Sequence, residues 1–180
     1  MPRLSEAVKR DHARITDAYH GLIETKPEDR NGDDFVWALA RYLIVENLAL
    51  IPALEYYINN GRQRQRRLSD DYDSINAKLR HMSKYNPSEE SFNSSLKAIW
   101  LDLEPHIREE TDEDLDELER LMGPEGSEAL GRKYEKLKEM LQKPYGKGGV
   151  PDADTMGDVL DTTRQQLMER MGIAGVSSSP

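Results

Sequence analysis

The sequence predicts an all-α protein: an up-down four-helix bundle followed by additional short C-terminal helices. Three observations carry this. Leu, Ala, Glu, Lys and Arg dominate the chain, and these residues lose little side-chain freedom in a helix. No stretch alternates cleanly between apolar and polar residues, as a half-buried strand requires. Apolar residues instead recur at spacings of three and four in four long segments joined by short polar loops, the pattern that builds bundles.

The first helix runs from about residue 5 to 25, with Leu4, Val8, Ile15, Tyr19 and Leu22 on its buried stripe. The polar loop at 26–33, rich in Pro, Asn and Gly, ends it. The second runs from about 34 to 59, with Phe35, Leu39, Leu43, Leu50, Leu54 and Tyr57 facing inward. Pro52 should kink it. Asn59, Asn60 and Gly61 suit its end, since both residue types tolerate the left-handed conformation that closes a helix. The third covers about 63 to 85, with Leu68, Ile75, Leu79 and Met82. Ser88 is placed to cap the fourth helix, whose first acids, Glu89 and Glu90, suit its positive end. That helix extends from about 89 to 122, with Phe92, Leu96, Ile99, Leu103, Leu115, Leu118 and Leu121, and Gly123-Pro124 closes it. A shorter helix spans about 127 to 142. The domain is expected over 1–145, and 146–180 reads as a linker, an amphipathic helix at about 154–171 and a disordered tail.

Composition narrows the function classes. A chain of 180 residues fits one domain with a good core. The net charge of -9 argues against nucleic acid or an anionic membrane as partner. The one basic run, Gly-Arg-Gln-Arg-Gln-Arg-Arg at 61–67, reads as a solvated helix start. There is no cysteine, which excludes disulfides, thiolate nucleophiles and iron–sulfur clusters. With no signal peptide and no long apolar run, a soluble, intracellular and cytoplasmic protein is expected.

The functional signal lies where the apolar stripes are interrupted. His12 sits between Val8 and Ile15. Tyr42 and Glu46 sit between Leu39 and Leu50, and Tyr72 between Leu68 and Ile75. His106 and Glu110 follow Ile99 and Leu103 on the same face. Each alone is an ordinary core residue, but a buried unpaired carboxylate costs several kcal/mol or becomes neutral. Six such groups converging would exceed a domain's margin of about 5–15 kcal/mol unless they satisfy one another, a metal or a ligand. Tyr19, His20, Trp37, Trp100 and Tyr134 are further candidates to line the site, the last two also reading as plain core.

The stretches 5–15 (Ser-Glu-Ala-Val-Lys-Arg-Asp-His-Ala-Arg-Ile), 37–47 with Ile-Pro-Ala-Leu-Glu at 51–55, and His-Ile-Arg-Glu-Glu at 106–110 resemble the hemerythrin-like, or HHE cation-binding, family over about residues 4–145. The resemblance implies a hemerythrin-like bundle holding two bridged irons, ligated by a histidine on the first and third helices and by His-x-x-x-Glu on the second and fourth. His12, Glu46, His106 and Glu110 match that set. Tyr42 and Tyr72 stand where the resemblance implies histidine.

A phenol must lose a proton of pKa near 10 to bind metal, and only a strong Lewis acid such as iron(III) makes that easy. Three readings stay open. The first is a metal-free pocket in which His12, Tyr42, Glu46, Tyr72, His106 and Glu110 perform acid/base chemistry on a small organic molecule, as an isomerase, lyase or cyclase, with no cofactor. The second is an iron site, with His12, Glu46, His106 and Glu110 as ligands, in an oxygen-handling or oxidase protein. The third is a relic that serves as a binding or interaction module. Conversion of lost ligands to tyrosine, rather than to leucine or alanine, keeps polarity and a proton and favours the first two.

Overall fold

The computed structural model describes residues 2–141, all of whose regular structure is helical. Helix α1 is Leu4–Glu24. After a single 3-10 turn, Pro27–Asp29, α2 spans Asp33–Tyr57 and α3 spans Gly61–Met82. Helix α4 covers residues 90–122 and α5 covers 124–140; the two abut at Gly123, whose φ of 71° and ψ of 175° break the helical path. Only glycine adopts that conformation without strain, so Gly123 and the following Pro124 separate α4 from α5 as the sequence predicts. The expected segments beyond 141 lie outside the described residues.

Each of the four long helices buries the stripe its spacing predicts, with two exceptions. Tyr57 is 40% exposed and Leu121 is 41% exposed. Both follow a leucine by three residues at the end of a helix. A three-residue step turns only about 300°, so the side chain lags the buried face by about 60°. Ile58, beyond the end of α2, is buried instead. Ser88 also departs from expectation. It donates to the Asn86 side-chain oxygen at 2.8 Å in a local turn, and the helix begins two residues later with Glu89 as its flanking residue.

Helix α2 is the core of the bundle. It is long and apolar enough to cross a membrane, but 89% of that stretch is buried inside the bundle. Neither α2 nor α4 is regular throughout. Each contains one wide π turn, at Glu46–Leu50 and Glu110–Asp114. In each, the amide five residues on bonds the first carbonyl: Ile51 N–H to Glu46 O and Leu115 N–H to Glu110 O. Pro52 explains the first turn, since it offers no N–H to the Leu48 carbonyl and its ring crowds that oxygen. The expected Pro52 kink thus takes the form of an extra residue in the helix.

The N-terminus of α1 is tied down by α4 and α5. Leu4 N–H donates to Ser127 Oγ and Ser5 N–H to Glu119 Oε1, both at 3.0 Å. The chain passes so close to α5 that a Cβ on Gly131 would lie 2.5 Å from the Pro2 carbonyl oxygen. Helix α5 is anchored to α1 by Tyr134, whose buried hydroxyl donates to Asp11 Oδ2 at 2.7 Å, and by Lys138, 2.7 Å from Asp11 Oδ1. Tyr134→Phe removes one donor from a buried carboxylate and should lower stability by about 1.5–3 kcal/mol in urea unfolding. A loss below about 0.5 kcal/mol would show that this tie does not hold α5.

Candidate functional site

The two π turns begin on the two buried glutamates. Glu46 and Glu110 are each the first residue of a π turn, and Tyr42 and His106 stand one helical turn before them. A π turn re-aims the side chains around it, and such turns occur frequently at functional sites. Here Tyr42 and Glu46 of α2 meet His106 and Glu110 of α4, and His12 of α1 joins them. Glu46 and Glu110 are 0% exposed, Tyr42 1%, His106 3% and His12 5%.

The Tyr42 hydroxyl is the hub. It donates to Glu110 Oε2 at 3.0 Å and lies 3.1 Å from His106 Nε2 and 3.3 Å from His12 Nε2. His12 Nε2 also lies 3.1 Å from Glu110 Oε1, and its Nδ1 faces the Thr111 hydroxyl at 3.1 Å. His106 Nε2 is 3.1 Å from Glu46 Oε1 and 3.3 Å from Glu110 Oε2, and its Nδ1 is 3.0 Å from Asp71 Oδ2. The contact between Glu46 and His106 has ion-pair distance without hydrogen-bond direction. Both Glu46 oxygens therefore lack a hydrogen bond.

Five of the six residues singled out from sequence thus meet in one network: His12, Tyr42, Glu46, His106 and Glu110. Tyr72 is buried on α3, and it is its neighbour Asp71 that α3 sends to His106. Asp71 and Thr111 were not legible as site residues, because each reads as part of a solvated polar face. Their only signal was adjacency to Tyr72 and Glu110. Of the outer aromatics, Tyr19 stacks on Trp100 with centroids 4.1 Å apart, His20 packs edge-on to Trp100, and Arg41 covers the Trp37 ring at 5.0 Å. Tyr134 is core. The basic run does more than start α3. Arg64 and Arg67 pair with buried Asp114, one turn beyond Glu110, and with Glu117 and Glu109.

The electrostatics separate the two glutamates. Burial and the nearby Glu110 charge push Glu46 up to about 8, against the pull of His106. Glu110 is equally buried, but hydrogen bonds from His106 and His12 outweigh burial and hold it below the usual carboxylate range. Burial pushes His106 down, yet Glu46, Asp71 and Glu110 together raise it well above the ordinary histidine value. Burial and the Glu110 and Glu46 charges raise Tyr42 further into its neutral form. Near neutral pH the centre therefore holds an ionised Glu110, a neutral phenol, and a Glu46–His106 pair in which the charge on either one favours the charged form of the other.

The same side chains could hold a metal ion. Donor atoms of Glu46, His106 and Glu110 all lie within 4.8 Å of one another. Two carboxylates and an imidazole suit a divalent or trivalent first-row ion, and the two unpartnered Glu46 oxygens are what a cation would satisfy. One ion fits this set. Two do not fit as well, because the Nε2 atoms of His12 and His106 both face the single Tyr42 hydroxyl. His12 reaches the three-residue cluster through Glu110 and Tyr42.

A helical bundle with paired Glu and His on facing helices defines the class of carboxylate–histidine bundle proteins. Within it, the model of the hemerythrin HHE cation binding domain matches residues 3–118, and the chain belongs to that family. An uncharacterized hemerythrin-like protein of Schizosaccharomyces pombe is 24% identical over 145 residues, covering 78% of this chain and 71% of the relative. No solved structure gives a significant match.

Proposed function

We propose that the chain binds a small organic molecule in the bundle core and transforms it by metal-independent acid/base chemistry of the isomerase, lyase or cyclase type, within the cytoplasm. The observation that carries this reading is the Tyr42 hydroxyl, which lies within 3.3 Å of both core imidazoles and of Glu110. A neutral phenol there is a hydrogen-bond donor at the place where the family ligand set offers a metal-binding lone pair. The divergent proton affinities of Glu46 and Glu110 add to it, since such a split assigns different tasks to like groups.

In the step we envisage, Glu46 is the group that takes and returns the proton. A carboxyl titrating at about 8 is matched to proton transfer near neutral pH. In its ionised form it accepts a proton from a carbon next to a substrate carbonyl, and the C–H electron pair moves onto the carbonyl oxygen. That oxygen accepts a hydrogen bond from His106 Nε2–H, and from Tyr42 when its one O–H turns from Glu110 to the substrate. Glu110 stays ionised and holds those donors in place. In a β,γ-unsaturated ketone the dienolate so formed takes the proton back at the γ-carbon as the carbonyl re-forms and the double bond moves into conjugation, which completes an isomerisation with no oxidant or reductant consumed.

A second reading is favoured by the unpartnered Glu46 oxygens. Glu46, His106 and Glu110 would hold one ion, which when bound supplies Lewis-acid or redox chemistry for an oxygen-handling protein. Incubation in D2O with small enolisable ketones and hydroxyketones distinguishes the two. Deuterium incorporation, read by NMR, should survive chelation and fall about 100-fold or more in Glu46→Gln. Loss of exchange on chelation, or oxygen uptake restored by iron, would overturn the metal-free mechanism.

A further inference from the structure

We propose that Asp71 is the positioning residue of His106, holding its Nδ1 proton in place and setting which way the imidazole faces. The inference begins with the unequal surroundings of the two core histidines. His12 Nδ1 faces the Thr111 hydroxyl at 3.1 Å. A hydroxyl can donate or accept, so the His12 proton is fixed from the other side of the ring, by the Glu110 carboxylate that accepts from Nε2 at 3.1 Å. His106 Nδ1 faces Asp71 Oδ2 at 3.0 Å. An ionised carboxylate only accepts, so it requires the proton on Nδ1 and directs Nε2 toward Tyr42, Glu46 and Glu110.

The lever is built for this task. His106 follows Pro105 on α4, whereas Asp71 comes from α3, so the ring is held from a second helix rather than by its own backbone. The His106 side chain is 2% exposed and that of Asp71 37%. The contact therefore joins the closed core to the bundle surface. Asp71 touches none of the reacting groups except through the ring. Its effect on turnover rests on the acid/base reading above, while its effect on the ring does not.

The test is imidazole nitrogen–proton correlation NMR on uniformly 15N-labelled protein, with Asp71→Ala and Asp71→Asn variants. In the native protein His106 Nδ1 should carry a proton protected from solvent exchange. Asp71→Ala should lose that signal and leave the His12 ring signals in place, which also reports an intact core. Asp71→Asn should retain it, because the amide oxygen still accepts. Deuterium exchange into substrate should fall about 10- to 100-fold in Asp71→Ala, the usual scale for a residue that orients another, and less in Asp71→Asn. A native His106 without a proton on Nδ1, or an Asp71→Ala spectrum with that signal unchanged, overturns the proposal. If Asp71→Ala loses the signal while no substrate exchanges in any variant, the positioning role stands and the acid/base reading fails.

Discussion

Glu110→Gln should destabilise the protein by about 3–5 kcal/mol at pH 6, while Glu46→Gln costs about 1 kcal/mol or less. The two side chains are equally buried and lie in the same network, so burial alone predicts equal losses. Glu110 is the ionised partner of His12 and His106 and accepts from Tyr42. Its neutral isostere leaves His106 without the buried carboxylate beside Nε2 and offers one oxygen where two accepted. Glu46 is already protonated at pH 6, being held up to about 8. A glutamine mimics that neutral carboxyl closely.

The same assignment fixes the pH dependence. The folded state binds a proton on Glu46 between its ordinary value of 4.5 and about 8, where the unfolded chain has lost it. Stability from this group is therefore fully present below about 4.5 and declines by about 1.4 kcal/mol per pH unit up to about 8. His106 is raised as well, so its contribution is present below 6.5 and is also lost as pH rises through its folded value. Glu110 runs the opposite way. Its lowered affinity contributes stability above 4.5 that is lost only in acid. Urea unfolding of the native protein from pH 5 to 8 should show falling stability, and Glu46→Gln should flatten part of that slope. Equal losses for the two variants at pH 6, or native stability that rises toward pH 8, would mean that the protons are assigned to the wrong glutamate.

How far the sequence discloses this molecule depends on which physical signal carries each part. Burial periodicity reveals a residue of the wrong polarity on an apolar stripe, and that is why His12, Tyr42, Glu46, His106 and Glu110 were legible without coordinates. It is insensitive to a change of helical pitch. Nothing in the hydropathy around Glu110 announces that Glu110–Asp114 is a π turn, and the acidic run there reads as one solvated face although Asp114 is 0% exposed. The partners of Asp114, Arg64 and Arg67, are 47 or more residues away and belong to a run that looks like surface charge. Asp71 escaped for a related reason. A charged residue at the border of a stripe is ordinarily exposed, and only the approach of α4 shows that its carboxylate meets His106.

Tyr42→His combined with Tyr72→His restores the ligand types that the family set implies and should raise iron content, expected to be well below two ions per chain in the native protein, to about two, the stoichiometry of carboxylate-bridged bundle sites. The native centre suits one ion better than two, because a neutral phenol lies within 3.3 Å of two imidazole nitrogens and has to lose its proton to act as a ligand. Burial and two nearby carboxylates raise Tyr42 still further from that state. An imidazole at position 42 needs no such deprotonation and supplies a lone pair at neutral pH. An added cation would also recruit both glutamates as ionised ligands, since its charge outweighs the repulsion that now keeps Glu46 protonated. The double variant should therefore gain iron, measured by elemental analysis after dialysis, and lose metal-independent deuterium exchange, because Glu46 no longer takes up or returns a proton. A variant that folds and stays iron-free would show that ligand identity is not what separates this chain from iron-binding relatives. A variant that gains iron and keeps the exchange would remove Glu46 from the mechanism.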